Sequence, residues 1–100
     1  MGNIRKETAY REGLIDRIEL MFPDCVVMKN DPDQLQGIPD LLILFENKWA
    51  MLEVKRSVNE PTQPNQPYYV EKFNEMSFAA FIYPENEEEV LEQLLLRLGS

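Results

Sequence analysis

The sequence predicts an α/β domain whose elements follow the order αβββαβα. Two observations carry this prediction. Apolar residues recur at helical spacing near both ends of the chain, and short apolar runs with turn residues between them, typical of strands, lie in the middle. A chain of 100 residues is long enough for one core, so we expect a single domain spanning residues 1–100.

The first helix is predicted over residues 5–22, where apolar residues recur at helical spacing until Pro23 ends the run. Its apolar face consists of Tyr10, Leu14, Ile15, Ile18, Met21 and Phe22. A short strand follows at residues 25–28. It begins with the single cysteine of the chain, Cys25, which we interpret as a buried thiol. Residues 30–37 are rich in turn formers and are predicted to form a loop.

Two apolar runs in the middle of the chain, residues 41–45 and 49–54, are predicted to be strands. The short polar segment 46–48 between them favours a hairpin, so the two strands should be adjacent and antiparallel. Three prolines interrupt residues 57–67, which excludes a central strand there. We expect this segment to be a loop that lies over the open end of the hairpin.

The last part of the chain is predicted to contain a helix, a strand and another helix. Pro67 suits the first turn of the second helix, which continues to about residue 76. A strand at 78–83 stops before Pro84. The third helix begins near Glu85, and acidic residues in its first turn are favoured by the helix dipole. Its predicted buried face consists of Val90, Leu91, Leu94, Leu95 and Leu98.

The composition excludes several classes of function. The net charge of −8 argues against a surface that grips long stretches of nucleic acid, although the basic residues near the N-terminus leave room for a local basic strip. The absence of histidine excludes a histidine base and a Ser-His-Asp triad. No apolar run approaches the roughly 20 residues that cross a bilayer, and residues 1–7 lack a signal-peptide core. We therefore expect a soluble, intracellular protein.

Three charged residues lie where the predicted hairpin would bring them together. In a strand, Glu53 and Lys55 share one face while Val54 points to the other, and the partner strand can place Asp40 beside them. An isolated Glu-x-Lys is more often an ion pair at a sheet edge. The preceding Pro39 and Asp40 favour a functional site instead, because two carboxylates and an ammonium can hold a divalent metal beside a phosphodiester.

These residues resemble a known motif. Gly-Ile-Pro-Asp at residues 37–40, followed by Glu-Val-Lys at 53–55, resembles the PD-(D/E)xK nuclease motif. Over nearly its whole length the chain is similar to a VRR-NUC (virus-type replication-repair nuclease) domain. The resemblance implies a restriction-endonuclease-like core with a mixed central sheet flanked by helices. It also implies a Mg²⁺- or Mn²⁺-dependent DNA endonuclease, cytoplasmic and of bacterial or phage origin.

The resemblance assigns roles to residues of this chain. Asp40, Glu53 and the backbone carbonyl of Val54 would bind the metal, while Lys55 would orient the attacking water and stabilise charge on the phosphate. Nucleases of this kind also use a glutamine at the start of the next helix. Gln66 fits that place, and the neighbouring candidate Gln63 fits it less well; either could instead cap the helix.

An acid from the first helix joins the metal site in such nucleases, and two candidates exist. At about 100° per residue, Glu7 falls in the middle of the apolar stripe of the helix and Glu12 at its edge. We favour Glu7, with Glu12 as the alternative and a purely helix-stabilising acid as the other interpretation. Arg11 also falls on the inward face, where it would pair with Glu7 or contact a phosphate.

Because the chain is small and acidic, we expect a partner to supply part of the surface that binds DNA. A symmetric homodimer presents two active sites to two strands. The nucleases that the chain resembles include stand-alone resolvases. The resemblance therefore implies branched DNA or a four-way (Holliday) junction as the substrate. Two alternatives remain open: a non-catalytic interaction module on a nuclease-like fold, and a nuclease subunit of a larger restriction or repair assembly.

Overall fold

The computed structural model describes the backbone of residues 2–99 and the side chains of residues 8–99. Within these residues it confirms the predicted order of helices and strands. The elements are α1 (Gly2–Met21), β1 (Val26–Lys29), β2 (Leu41–Phe45), β3 (Lys48–Val54), α2 (Gln66–Met76), β4 (Ala79–Ile82) and α3 (Glu87–Leu98).

The four strands form one mixed sheet in the order β1-β2-β3-β4. The first three strands are antiparallel to one another, and β4 is parallel to β3. In the central hairpin, Leu41 lies opposite Leu52 and Phe45 lies opposite Lys48. The turn is therefore one residue shorter than predicted, with Glu46 in the left-handed region at φ 57°. This register determines which residues meet at the open end of the hairpin.

The main core lies between one face of the sheet and the helices α1 and α3. Alternation along the strands places Leu41, Ile43, Ala50 and Leu52 on this face, all with no exposed surface. The helices contribute the buried residues Leu14, Ile18, Phe22, Val90, Leu94 and Leu98. Helix α2 covers part of the opposite face of the sheet. There the rings of Phe73 and Trp49 lie edge to face, with 6.2 Å between their centroids. The predicted apolar face of α1 is confirmed.

Two predictions about buried residues are wrong. Leu95 is 48% exposed because the stripe through Val90, Leu94 and Leu98 turns it toward solvent. Cys25 precedes β1 instead of belonging to it and is only half-buried. Burial and the nearby charge of Glu19 raise the pKa of its thiol. No helix among residues 2–99 has the length and hydrophobicity needed to cross a bilayer.

A polar cluster joins α1 to the first turn of α3. The Tyr10 hydroxyl donates to Oε1 of Glu87 at 2.8 Å, and Arg17 donates to both carboxylate oxygens at 2.6 and 2.8 Å. Burial raises the pKa of the Glu87 carboxyl, but the hydrogen bonds from Arg17 and Tyr10 outweigh it, so the net pKa is lowered. Burial and Glu87 hold the pKa of Tyr10 above its usual range.

This cluster makes stability depend on pH. Because the folded-state pKa of Glu87 lies below the unfolded value of about 4.3, its contribution is present above that pH and is lost as the pH falls through the folded pKa. We predict that Glu87→Gln lowers the free energy of unfolding at pH 7 by at least about 1 kcal/mol. The deficit relative to the wild type should shrink below pH ~4. Urea denaturation across a pH series measures both effects.

Glu88→Gln is the matched control, because Glu88 is exposed on the same helical turn. It should change the free energy of unfolding by less than about 0.5 kcal/mol at every pH. A Glu87→Gln deficit that stays constant with pH would contradict the role assigned to the ionised carboxylate.

Candidate active site

The open end of the β2–β3 hairpin brings Asp40 to β3. In the register that sets Leu41 opposite Leu52, the next position outward places Asp40 opposite Glu53. The backbone carbonyl of Asp40 accepts the N–H of Asn30 at 2.8 Å, which joins it to the end of β1. Oδ2 of Asp40 accepts the N–H of Val54 at 2.9 Å. The two acids predicted from the sequence therefore lie close to each other in the fold, Asp40 just before β2 and Glu53 near the end of β3.

Val54 contributes its backbone to the site while its side chain is buried in the core. In an antiparallel ladder the N–H and the C=O of one residue point toward the same neighbouring strand. Because the Val54 N–H points to Asp40, its carbonyl lies on that side as well. The next residue faces the other way, since the Lys55 N–H donates to the Ile82 carbonyl of β4 at 2.8 Å.

Glu53 and Lys55 are the two buried charged residues of the described chain, with 3% and 5% of their surfaces exposed. Nζ of Lys55 is 3.9 Å from Oε2 of Glu53. The side-chain amide of Gln66 bridges them. Its Nε2 donates to Oε2 of Glu53 at 3.0 Å, and its Oε1 accepts from Nζ of Lys55 at 2.8 Å. Charges this deeply buried require such partners, because desolvation without hydrogen bonds is costly.

Gln66 is the first residue of α2, and a local contact fixes its side chain. Its Oε1 also accepts the backbone N–H of Gln63 at 2.8 Å, while its own N–H donates to the Gln63 carbonyl at 3.1 Å. The side chain of Gln63 is exposed. The structure thus brings Gln66 into the site and leaves the side chain of Gln63 outside it.

Glu60 is a site residue that the sequence analysis missed. Its Oε2 lies 3.6 Å from Nζ of Lys55, and its Oε1 accepts from the backbone N and from Nε of Arg56 at 3.0 and 3.1 Å. The carbonyl of Pro61 accepts from Lys55 at 3.3 Å. The proline-rich loop therefore lies over the site, as expected. The spacing of four residues between Arg56 and Glu60 carries no signal outside a helix.

The first helix has two candidates for the acid that would join the site, Glu7 and Glu12. The side chain of Glu7 lies outside the described residues. Glu12 is exposed and pairs with Lys29 at 3.0 Å, and the structure does not bring it to Asp40 or Glu53. Among residues 8–99, no group of three acidic, His or Cys side chains could hold a metal. Arg11 is partly buried, and its Nε finds no acceptor within this range.

The donor atoms nevertheless suit a hard divalent cation. Asp40, just before β2, and Glu53 of β3 supply carboxylate oxygens, and Val54 supplies a carbonyl on the same side as Asp40. Mg²⁺ usually keeps several waters and needs only one or two protein carboxylates in addition to substrate phosphates. The residues present therefore fit Mg²⁺ or Mn²⁺, with oxygen as the only ligand element.

A pocket of about 200 Å³ opens beside this site. Residues 32–40, which follow β1, and residues 63–66, which lead into α2, form its walls, and both Asp40 and Gln66 line it. The two loops meet at Gly37, whose φ is +94°. A Cβ at this glycine would lie 2.5 Å from Cβ of Asn65, so the close approach of the loops requires a glycine.

No family model, curated protein or solved structure matches the chain. The resemblance to the nuclease motif stays a prediction from the sequence, and the assignment of a function rests on the geometry of the site.

The bridging amide should contribute strongly to stability. We predict that Gln66→Ala lowers the free energy of unfolding by about 2–4 kcal/mol, because it removes an acceptor from buried Lys55 and a donor from buried Glu53. Gln63→Ala is the control. It deletes an exposed amide, keeps the backbone N–H, and should change the free energy by less than about 0.5 kcal/mol. Equal urea midpoints for the two variants would contradict the bridging role of Gln66.

Proposed function

We propose that this protein is a metal-dependent endonuclease that hydrolyses phosphodiester bonds in DNA, similar to the PD-(D/E)xK enzymes of the VRR-NUC type. One observation carries the proposal. The hairpin register sets Asp40 opposite Glu53, the Asp40 carboxylate accepts the Val54 N–H, and a buried ammonium, that of Lys55, lies beside Glu53. Two acids and a cation so placed suit a divalent metal with a phosphate.

In this proposal Asp40, Glu53 and the carbonyl of Val54 would hold Mg²⁺ or Mn²⁺, and Glu7 would join them from the first helix. Such an ion, when bound, polarises the scissile phosphate and lowers the pKa of a coordinated water. Hydrogen bonds within the chain fix the positions of the two carboxylates. Asp40 is held in place by the Val54 N–H, and Glu53 is held by the Gln66 amide, so neither carboxylate needs to reorganise.

Lys55 would orient the attacking water and stabilise the negative charge that develops on the phosphate. Gln66 and the carbonyl of Pro61 accept two of its three N–H groups. The third would be directed at the substrate in competition with the carboxylate of Glu60, 3.6 Å from Nζ. Because the ammonium is removed from water, its interaction with a phosphate is stronger than that of an exposed lysine. Gln66 is a positioning residue, since it fixes Lys55 and Glu53 at once.

We extend the proposal to a homodimer that acts on branched or four-way DNA. Two copies related by a twofold axis would present two active sites to two strands. The edge strand β1 offers a surface for this contact. Its Val26 and Met28 are 51% and 49% exposed, and the neighbouring Leu44 is 37% exposed. Contiguous exposed apolar residues are typical of interfaces. Sedimentation of the protein only as a monomer at high concentration would contradict this extension.

The nuclease proposal predicts a specific loss of activity. The wild type should cut four-way, flap, single-stranded or linear duplex DNA with Mg²⁺ and not with EDTA. Asp40→Asn should lower the rate at least about 100-fold, because it removes a metal-binding charge. Asparagine retains an oxygen that can accept the Val54 N–H, so the fold should survive. Lys55→Ala is less informative, because it leaves buried Glu53 without its cation.

Asp33→Asn is the matched control, because Asp33 is an exposed residue of the loop before β2. It should cut like the wild type. Undiminished Mg²⁺-dependent cutting by Asp40→Asn would overturn the proposed mechanism. Failure of the wild type to cut any of the four DNA substrates would favour the non-catalytic interaction module or the subunit of a larger assembly.

A further inference from the structure

The pocket beside the site differs chemically from the rest of this acidic molecule. Of the lining residues whose side chains the structure describes, Asp40 alone carries a charge, and Asp40 also belongs to the proposed metal site. Its apolar wall includes Pro32, Ile38 and Pro64. A phosphate is a poor occupant, because among residues 8–99 no lysine or arginine lines the pocket to offset the repulsion from the carboxylate. The pocket suits an uncharged group.

Three side-chain amides around this pocket have hydrogen-bonding groups to offer. Gln36, Gln63 and Asn65 line it, are exposed, and make no side-chain hydrogen bond within the part of the chain whose side chains are described. Each amide presents both a donor and an acceptor. That combination matches the polar edge of a nucleobase, where donors and acceptors lie side by side.

The volume of the pocket limits what enters. At about 200 Å³ it is smaller than the roughly 300–1,000 Å³ of pockets that hold drug-sized ligands. One ring system fits and a larger ligand does not. The contact between Gly37 and Asn65 holds the two loops together and so limits the width of the pocket.

We propose that this pocket binds a single unpaired nucleobase of the DNA strand that is cut. The inference rests on the proposed nuclease function and specifies its substrate. Asp40 and Gln66 belong to both the pocket and the site, so a base in the pocket belongs to a nucleotide next to the scissile phosphate. A base within a duplex is stacked and paired, so it enters a pocket only at the free-energy cost of unstacking and unpairing, which an already unpaired base avoids. The preferred substrate therefore has an unpaired nucleotide at the cut, as at a flap or a branch point.

The test uses flap or junction DNA in which a single abasic nucleotide is moved stepwise across the positions around the cut. At one position next to the cut, loss of the base should lower kcat/KM of the wild type about tenfold or more. The double variant Gln36→Ala/Gln63→Ala should cut the intact DNA as slowly as the wild type cuts the abasic DNA. Its own sensitivity to the abasic position should disappear.

Gln34→Ala is the matched control, because Gln34 is an exposed glutamine of the same loop that does not line the pocket. It should retain the full abasic effect. Cutting by the wild type that is insensitive to the abasic nucleotide at every position would overturn the pocket assignment while leaving the nuclease proposal intact. An absence of any Mg²⁺-dependent cutting would overturn the nuclease proposal, and the pocket assignment would fall with it.

Discussion

The burial of two opposite charges at the end of β3 is the constraint on which the site depends. The Glu53 carboxylate and the Lys55 ammonium are almost completely removed from water. Such burial is tolerated only when hydrogen bonds and counter-charges replace the lost solvent. The start of α2 and the loop before it provide them through Gln66, Glu60 and the carbonyl of Pro61. Stability and site geometry are therefore coupled, and a loss of activity at these positions is informative only beside a stability measurement.

The strand register makes the same arrangement specific. Side chains alternate along a strand, so a slip of one residue in the hairpin would send Glu53 and Lys55 to the opposite face and bring Val54 to theirs. Asp40 acts against such a slip. Its carboxylate accepts the Val54 N–H at the point where the backbone ladder of β2 ends. One side chain thus continues the pairing of the strands and places an acid opposite Glu53.

The charges of the chain bear on how it would hold DNA. Several of its basic residues are already in ion pairs: Arg17 with Glu87, Lys29 with Glu12, and Lys55 and Arg56 with Glu60. With a net charge of −8, contacts to phosphates alone would give weak binding. A bound metal, a second copy of the chain and a pocket that accepts an uncharged base would each add affinity without a basic surface.

Much of the fold and part of the site follow from local sequence patterns. Helical spacing gave the buried face of α1, and strand alternation placed Glu53 and Lys55 on one face. The positions of the loops cannot be predicted from local sequence patterns, because contacts between residues that are distant in the sequence determine them. Glu60 reaches Lys55 only because the loop folds back over the strand end. Glu12 pairs with Lys29 because α1 passes beside β1. The spacing of residues within the helix does not predict this neighbour.

The pocket shows the same limit. Local sequence predicts a loop at residues 30–37, but nothing within that loop indicates that Gly37 packs against Asn65. Leu95 shows the opposite error. Its place in an apolar run predicts burial, whereas the rotation of the helix points it to water.

The proposal that Asp40 and Glu53 together form a metal site is tested by calorimetric titration with Mn²⁺, which requires no DNA substrate. The wild type should bind Mn²⁺, and Glu53→Gln, verified as folded, should weaken binding at least about tenfold, because the cation prefers charged oxygen ligands. Asp33→Asn should bind like the wild type. A folded wild type that binds no Mn²⁺, or a Glu53→Gln variant that binds it equally well, would contradict the account.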